Sequence, residues 1–242
     1  MTIGTGARRA ASLLAVALLL AGCLPSPATE QGRATAGLYL WFVLAAAIVA
    51  LIVYGTLSWT IVRHRRRHDE QAPDQVQGNL RLEIAWTAGP IILVVALFAA
   101  TLGVLTRVEA VTTDPAIEVR VEAFRWGWSA TYPETGATVS GLREPGPEIV
   151  LPVDVPIRIT LVAADVVHAF YVPAFLFKRD AIPGRESVFE LTIAEAGSYG
   201  GQCAEFCGVF HSRMPFTIRA VPRPEFEAWL AAVPGPSGTV PG

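Results

Sequence analysis

The amino-acid sequence predicts an α+β membrane protein, in which a two-helix transmembrane hairpin is followed by an exported β domain. Three observations carry this. Two uncharged runs, residues 34–62 and 84–106, each exceed the roughly 20 residues that a spanning helix needs. Between them lies "RHRRRH", residues 63–68, a short basic stretch with four arginines. From residue 107 onward, alternating stretches punctuated by proline and glycine replace the apolar runs. An apolar fraction of 52% over 242 residues agrees with a large membrane portion and is unusual for a purely soluble chain.

The first 22 residues carry Arg8 and Arg9 and then 13 uncharged residues, the length of a signal-peptide core and too short to span a bilayer. Residues 1–22 are therefore expected to be removed. They lead into "LAGC", which resembles the bacterial lipobox and marks Cys23 for lipidation, leaving residues 23–34 as an extracytoplasmic N-terminus. Helix 1 is placed at residues 35–62 and helix 2 at residues 84–106. The basic loop at residues 63–83 should be cytoplasmic by the positive-inside rule, which puts both termini outside. Residues 107–222 form the exported domain, with "AIEVRVEAF", "EIVLPV", "PIRITLV", "SVFELTI" and "PFTIRAV" as strands, and about 115 residues suffice for a small sandwich or barrel. Residues 223–242 hold a short helix, opened by Pro224, and a flexible tail. From Arg107 to the end there are 16 acidic and 11 basic residues, a net of about −5 that favours basic partners by steering. The chain shows no internal repeat and no nucleic-acid motif, so no nucleic-acid partner is expected.

The chemistry concentrates in "GGQCAEFCGVFHSRMPF", residues 200–216, which gathers two of the three cysteines and one of the two methionines of the chain. Cys203 and Cys207 admit a structural disulfide, a zinc site or a copper site. A disulfide would leave His211 and Met214 as bystanders. Zinc accepts thiolates and imidazoles but has little use for a thioether, whereas copper accepts all three donor types. A mononuclear blue site uses one cysteine; two cysteines four apart suit a pair of coppers bridged by both thiolates. A second imidazole is needed, and of the four histidines His64 and His68 fall in the basic loop, which leaves His168 in "ADVVHAFYVPAF" as the partner of His211.

The pattern C-x-E-x-x-C-G-x-x-H-x-x-M, with the upstream "DVVH", resembles subunit II of the haem-copper cytochrome c oxidases and its dinuclear CuA centre. "KRDAIPGR", "RWGWSATYP" and "LEIAWTAGP" resemble stretches of that family at the expected places, so the likeness covers nearly all of the mature chain. It implies a cupredoxin-like Greek-key β-barrel on a two-helix hairpin. Carried over residue by residue, it implies that Cys203 and Cys207 bridge two coppers, that His168 and His211 terminate them, that Met214 is a thioether ligand, and that Glu205 ligates through its backbone carbonyl. The Glu205 carboxylate would reach a magnesium ion shared with subunit I. Trp126 resembles the tryptophan through which electrons arrive from a c-type cytochrome, although such a cluster with Trp128 and Tyr132 is also what a core patch looks like. Glu83 resembles a glutamate at the mouth of a proton pathway; a glutamate in the first turn of a helix equally serves the helix dipole.

Two positions depart from the family pattern: Arg125 where many relatives have glutamine, and Leu176 where glycine is common. The docking surface for the donor therefore differs, and a membrane-held or fused cytochrome is as compatible as a soluble one. No CxxCH occurs, so no haem c of its own is expected. The resemblance implies the electron-input subunit of a bacterial terminal oxidase, multi-pass in the cell membrane with its copper domain outside, working with the haem- and copper-bearing subunit I. The rivals are a quinol-oxidase-type subunit II, which lacks these ligands, a soluble nitrous oxide reductase, which lacks the hairpin, and a non-catalytic copper carrier.

Overall fold

A computed structural model describes residues 25–65 and 78–233. The signal peptide, Cys23, most of the basic loop and the C-terminal tail lie outside the described residues. Gly37–Arg107 forms one compact unit; the residues up to Ala36 together with those from Val108 onward form another.

The first unit holds most of two long helices, α1 (Glu30–Arg63, 34 residues) and α2 (Leu80–Val108, 29 residues). At 1.5 Å per residue these are about 50 and 45 Å long, enough to cross the roughly 30 Å hydrocarbon layer. Their apolar side chains face outward all along, with Leu51, Tyr54, Ile92 and Val94 all exposed. An apolar surface of that kind is stable only in lipid. Both helices start earlier than the apolar runs, because polar residues cap them. Thr29 Oγ1 accepts from the Gly32 N–H at 3.0 Å, and Asn79 Oδ1 accepts from the Arg81 and Leu82 N–H groups at 3.2 and 3.3 Å. Glu83 consequently sits in the first turn of α2 rather than at the end of a loop.

The second unit is a β-sandwich. Its strands are β1 (Ile117–Phe124), β2 (Gly127–Tyr132), β3 (Ala137–Leu142), β4 (Glu148–Pro152), β5 (Pro156–Ala163), β6 (His168–Val172), β7 (Phe177–Ala181), β8 (Ser187–Thr192), β9 (Gly197–Cys203) and β10 (Pro215–Val221). One sheet runs β3-β2-β1-β5-β8 and the other β4-β10-β9-β6-β7. β1 pairs parallel with β5 and β4 parallel with β10, so strands distant in sequence lie side by side. The alternation predicted for β1 and β5 is what the fold uses: Val119, Val121 and Ala123 face Ile157, Ile159 and Leu161 in the core, while Arg120 and Glu122 point outward. Phe170, Phe189 and Phe216 fill the centre.

The chain ends cover this core. The helix α3 (Arg223–Ala232) buries Phe226 and lays Trp229 edge-on against Tyr132 at 5.2 Å between ring centres. At the other end, Ala28 and Thr29 are buried, and Ala28 exchanges backbone hydrogen bonds with Ala174 and Ala194 at 2.9 Å each. The segment after α2 is held too, as Glu190, 4% exposed, accepts from the Thr112 backbone and hydroxyl and from Arg158.

Strand pairing positions the site. β9 lies between β6 and β10, with Cys203 opposite Phe170 and Gln202 opposite Pro215, so the β9–β10 loop rises from adjacent strands beside the start of β6. Gly201 makes this pairing possible, since a Cβ there would lie 2.3 Å from the Phe216 ring. Leu176 occupies φ 49°, ψ 38°, the left-handed region that costs a side chain strain and explains why glycine is common at this place in the resembling family.

Candidate metal centre

Two strands of the β-sandwich and the loop between β9 and β10 deliver the predicted ligands to one place. His168 opens β6, Cys203 ends β9, Cys207 and His211 lie in the β9–β10 loop, and Met214 precedes β10. The two sulfurs stand 3.9 Å apart, almost twice the roughly 2.04 Å of a disulfide, and both thiols are free. Each sulfur has its own imidazole: Cys203 Sγ is 3.7 Å from His168 Nδ1, and Cys207 Sγ is 3.7 Å from His211 Nδ1. Met214 Sδ is 3.9 Å from Cys207 Sγ, and the Cys203 thiol donates to the Glu205 carbonyl at 3.3 Å. Three sulfurs, two imidazole nitrogens and a carbonyl oxygen therefore converge. Cys203, Cys207, Met214 and His168 are all buried, and the ligand atoms of His168, Cys203 and Cys207 lie within 4.8 Å of one another. Soft, water-excluded donors of this kind fit copper, and the distance between thiols fits two sulfurs shared by metal rather than bonded to each other.

A carboxylate that the sequence does not single out completes the arrangement. Asp165 Oδ1 is 2.9 Å from His168 Nε2 and accepts from the Val166 N–H at 2.7 Å, while its Oδ2 accepts from Arg125 N and Nε at 2.9 and 3.0 Å. An ionised carboxylate only accepts, so His168 Nε2 carries a proton and donates to Asp165, which leaves Nδ1 facing Cys203. Burial pushes the Asp165 carboxyl up, but the hydrogen bonds from His168, Arg125 and Val166 outweigh it and hold it well below the usual carboxylate range. Burial lowers the His168 imidazole, and its contacts with Cys203 and Asp165 more than reverse this. The thiols split in the same way. Burial raises Cys203, but hydrogen bonds from His168 and the Ala169 and Glu205 backbone bring it down to about 6, whereas burial and the neighbouring Cys203 charge push Cys207 up to about 12.

The remaining predicted residues fall in different places. Trp126, in the β1–β2 turn, lies against Gly208 of the cysteine loop and meets Phe210 edge-on at 5.0 Å. The Glu205 carboxylate pairs with Lys178 at 2.5 Å, which also pairs with Asp180 at 3.0 Å. The Glu205 contact, and then that of Asp180, raises the Lys178 amine. Glu83 belongs to the helical unit, where its carboxylate accepts from the Asn79 N–H at 3.3 Å, the helix-start role. Trp128 is buried core and donates from Nε1 to the Met214 carbonyl at 3.2 Å, which fixes the backbone of a ligand.

The sequence matches the description "Cytochrome C oxidase subunit II, transmembrane domain" over residues 23–104 and "Cytochrome C oxidase subunit II, periplasmic domain" over residues 134–221. It is 31% identical to a probable cytochrome c oxidase subunit 2 of Nocardia farcinica, across 91% of this chain and 79% of that one. The chain belongs to the cytochrome c oxidase subunit II family. A Streptomyces coelicolor member is 30% identical over 90% of this chain and 81% of its own length. A crystal structure of the periplasmic domain of subunit II from Bradyrhizobium japonicum is 36% identical, covering 51% of this chain and 96% of that domain with a TM-score of 0.48. Family membership makes the chain a membrane protein and the electron-input subunit of a cytochrome c oxidase, with two apolar helices and a cupredoxin-like sandwich.

Proposed function

We propose that this chain receives single electrons from a c-type cytochrome at a dinuclear copper centre and passes them to haem in subunit I, where oxygen is reduced to water. The observation that carries the reading is the pair of buried thiols 3.9 Å apart, each with its own imidazole at 3.7 Å. The Cys203 and Cys207 thiolates, the His168 and His211 imidazoles, the Met214 thioether and the Glu205 carbonyl would hold the metal, and copper there would supply one-electron exchange with small bond changes. The protein does the rest: it excludes water, holds the His168 imidazole through its Nε2–H donated to Asp165, and keeps the donor atoms fixed by strand pairing. Trp126 is the point at which electrons reach the domain.

The same reading extends to the rest of the chain. Residues 1–22 are removed, Cys23 is lipidated at the outer face of a bacterial cell membrane, residues 35–62 and 84–106 span, the basic loop at 63–83 is cytoplasmic, and residues 107–222 form the extracytoplasmic copper domain. The Glu205 carboxylate, paired with Lys178 in this structure, would hold a magnesium ion shared with subunit I. Glu83 stands at the mouth of a proton path. The test is oxygen uptake by the purified oxidase with reduced c-type cytochrome or with quinol as donor, alongside haem spectra of the complex. Cytochrome-driven uptake supports the reading; uptake with quinol alone overturns it.

A further inference from the structure

Nothing polar holds the Trp126 indole. Its Nε1 is buried and donates to no acceptor among the described residues, so its orientation is set by packing alone. On one side is Gly208, at φ +123°, where a Cβ would lie 3.2 Å from the indole Cζ2 and 3.3 Å from Nε1. It also meets the Phe210 ring edge-on, at 5.0 Å between ring centres and 84°. Beyond Phe210 stands Arg143, whose guanidinium carbon is 4.9 Å from the centre of that ring and whose backbone N–H donates to the Trp126 carbonyl at 2.8 Å. Arg143 thus touches both members of the aromatic pair.

The Phe210 backbone belongs to the loop that carries Cys207 and His211. The residue directly precedes His211, its carbonyl accepts from the Arg213 N–H at 2.9 Å, and the His211 N–H donates to the Gly208 carbonyl at 3.1 Å. Gly208 and Phe210, the two residues that grip the indole, are therefore fixed by the same short turn that presents His211. A ring at position 210 is required for the edge-on contact, and a bare backbone at position 208 is required for the close approach.

We propose that Phe210 and Arg143 are positioning residues, which clamp the Trp126 indole against the cysteine loop and so fix its distance from the donor atoms of Cys207 and His211. Arg143 holds the Phe210 ring from outside by cation–π contact, Phe210 holds Trp126, and Gly208 leaves the space that Trp126 fills. This rests on the reading of Trp126 as the point where electrons arrive. An indole released from the clamp stays in the protein but loses its fixed geometry.

The test uses the intact purified oxidase and compares Phe210→Leu, Phe210→Tyr and Arg143→Gln with Trp126→Phe. Stopped-flow reduction by the native donor separates the plateau rate at saturating donor from the half-saturating concentration. Hydroxyl-radical footprinting read by mass spectrometry reports the accessibility of Trp126 without depending on activity. Phe210→Leu should lower the plateau rate about tenfold, in the range that small misplacements cost, with the half-saturating concentration and the copper absorption unchanged. It should raise Trp126 labelling, and Phe210→Tyr should restore both. Arg143→Gln should act in the same direction with a smaller effect. It lies outside the cysteine loop, so it decides the matter by the same criteria should Phe210→Leu disturb the copper absorption. A native plateau rate and native labelling in Phe210→Leu, with Trp126→Phe slow, overturns the clamp and leaves Trp126 in place. An Arg143→Gln effect confined to half-saturation makes Arg143 a docking residue and overturns its part. A native rate in Trp126→Phe removes the reading of Trp126 and the clamp with it.

Discussion

Replacing Asp165 by asparagine tests how the protein holds its most buried ligand. The carboxylate serves four contacts at once, His168 Nε2 and Val166 N on Oδ1 and Arg125 N and Nε on Oδ2. Asparagine has the same shape but one accepting oxygen, so either the imidazole or the arginine must face an amide NH2. The His168 side chain is fully buried and Asp165 is 24% exposed, so water cannot substitute for the lost acceptor at the imidazole. An outer partner of a ligating histidine is typically worth 10- to 100-fold in metal affinity, which is about 1.4–2.8 kcal/mol. That agrees with the ~1–3 kcal/mol for leaving one buried donor unpaired. The assay is copper competition against a chelator with the full-length chain in detergent, followed by visible absorption, with a thermal melt of the copper-free protein as control. Asp165→Asn should release copper 10- to 100-fold more readily, and Asp165→Ala at least as much. Copper retention within about threefold of the native chain would refute the assignment of Asp165 as the group that orients His168.

Phe226→Ala removes a side chain that is 1% exposed and packs on Tyr132, and it should cost about 3–5 kcal/mol in chemical denaturation of the β-sandwich; a loss under about 1 kcal/mol would mean that α3 is not part of the core. Gly32→Ala should destabilise by about 1–3 kcal/mol in the same assay even though alanine is the better helix former, because its Cβ would lie 2.6 Å from the Phe175 carbonyl oxygen; a stabilised variant would show that the α1 start is not held there. In the copper-free chain, thiolate absorbance should rise in two separate steps, the first below and the second above the ordinary thiol range; a single step at the ordinary thiol value would contradict the shared environment of Cys203 and Cys207. Mass spectrometry of the mature chain should find an acylated Cys23 as its first residue, and an intact Met1 would contradict processing.

The parts of the fold that were legible in the sequence are those where one force acts alone. Uninterrupted apolar runs announced both helices, alternation announced β1, β5 and β10, and short β-branched and apolar stretches between turn residues announced β4 and β8. The other strands carry mixed signals: β9 contains Gly197, Gly200 and Gly201, and β6 is apolar on both faces with Ala169, Phe170 and Val172 all buried. The helix starts were missed because Thr29 and Asn79 act as caps through hydrogen bonds that hydropathy does not register. At the candidate metal centre the scarcity of cysteine and methionine made the predicted donors conspicuous, while nothing in the sequence set Asp165 apart. The net charge of about −5 likewise said nothing of location. Beside Trp126 the chain places Arg125, its neighbour in sequence, and Arg143, whose N–H donates to the Trp126 carbonyl, while the Asp165 carboxylate is bonded to Arg125 and His168.

The central claim is a copper pair, and metal counting tests it most directly. The full-length chain, loaded with copper and freed of excess metal, should contain two coppers per polypeptide and, in its oxidised form, one unpaired electron shared over both by electron paramagnetic resonance. One copper per folded chain, with all six donors intact, would contradict the account.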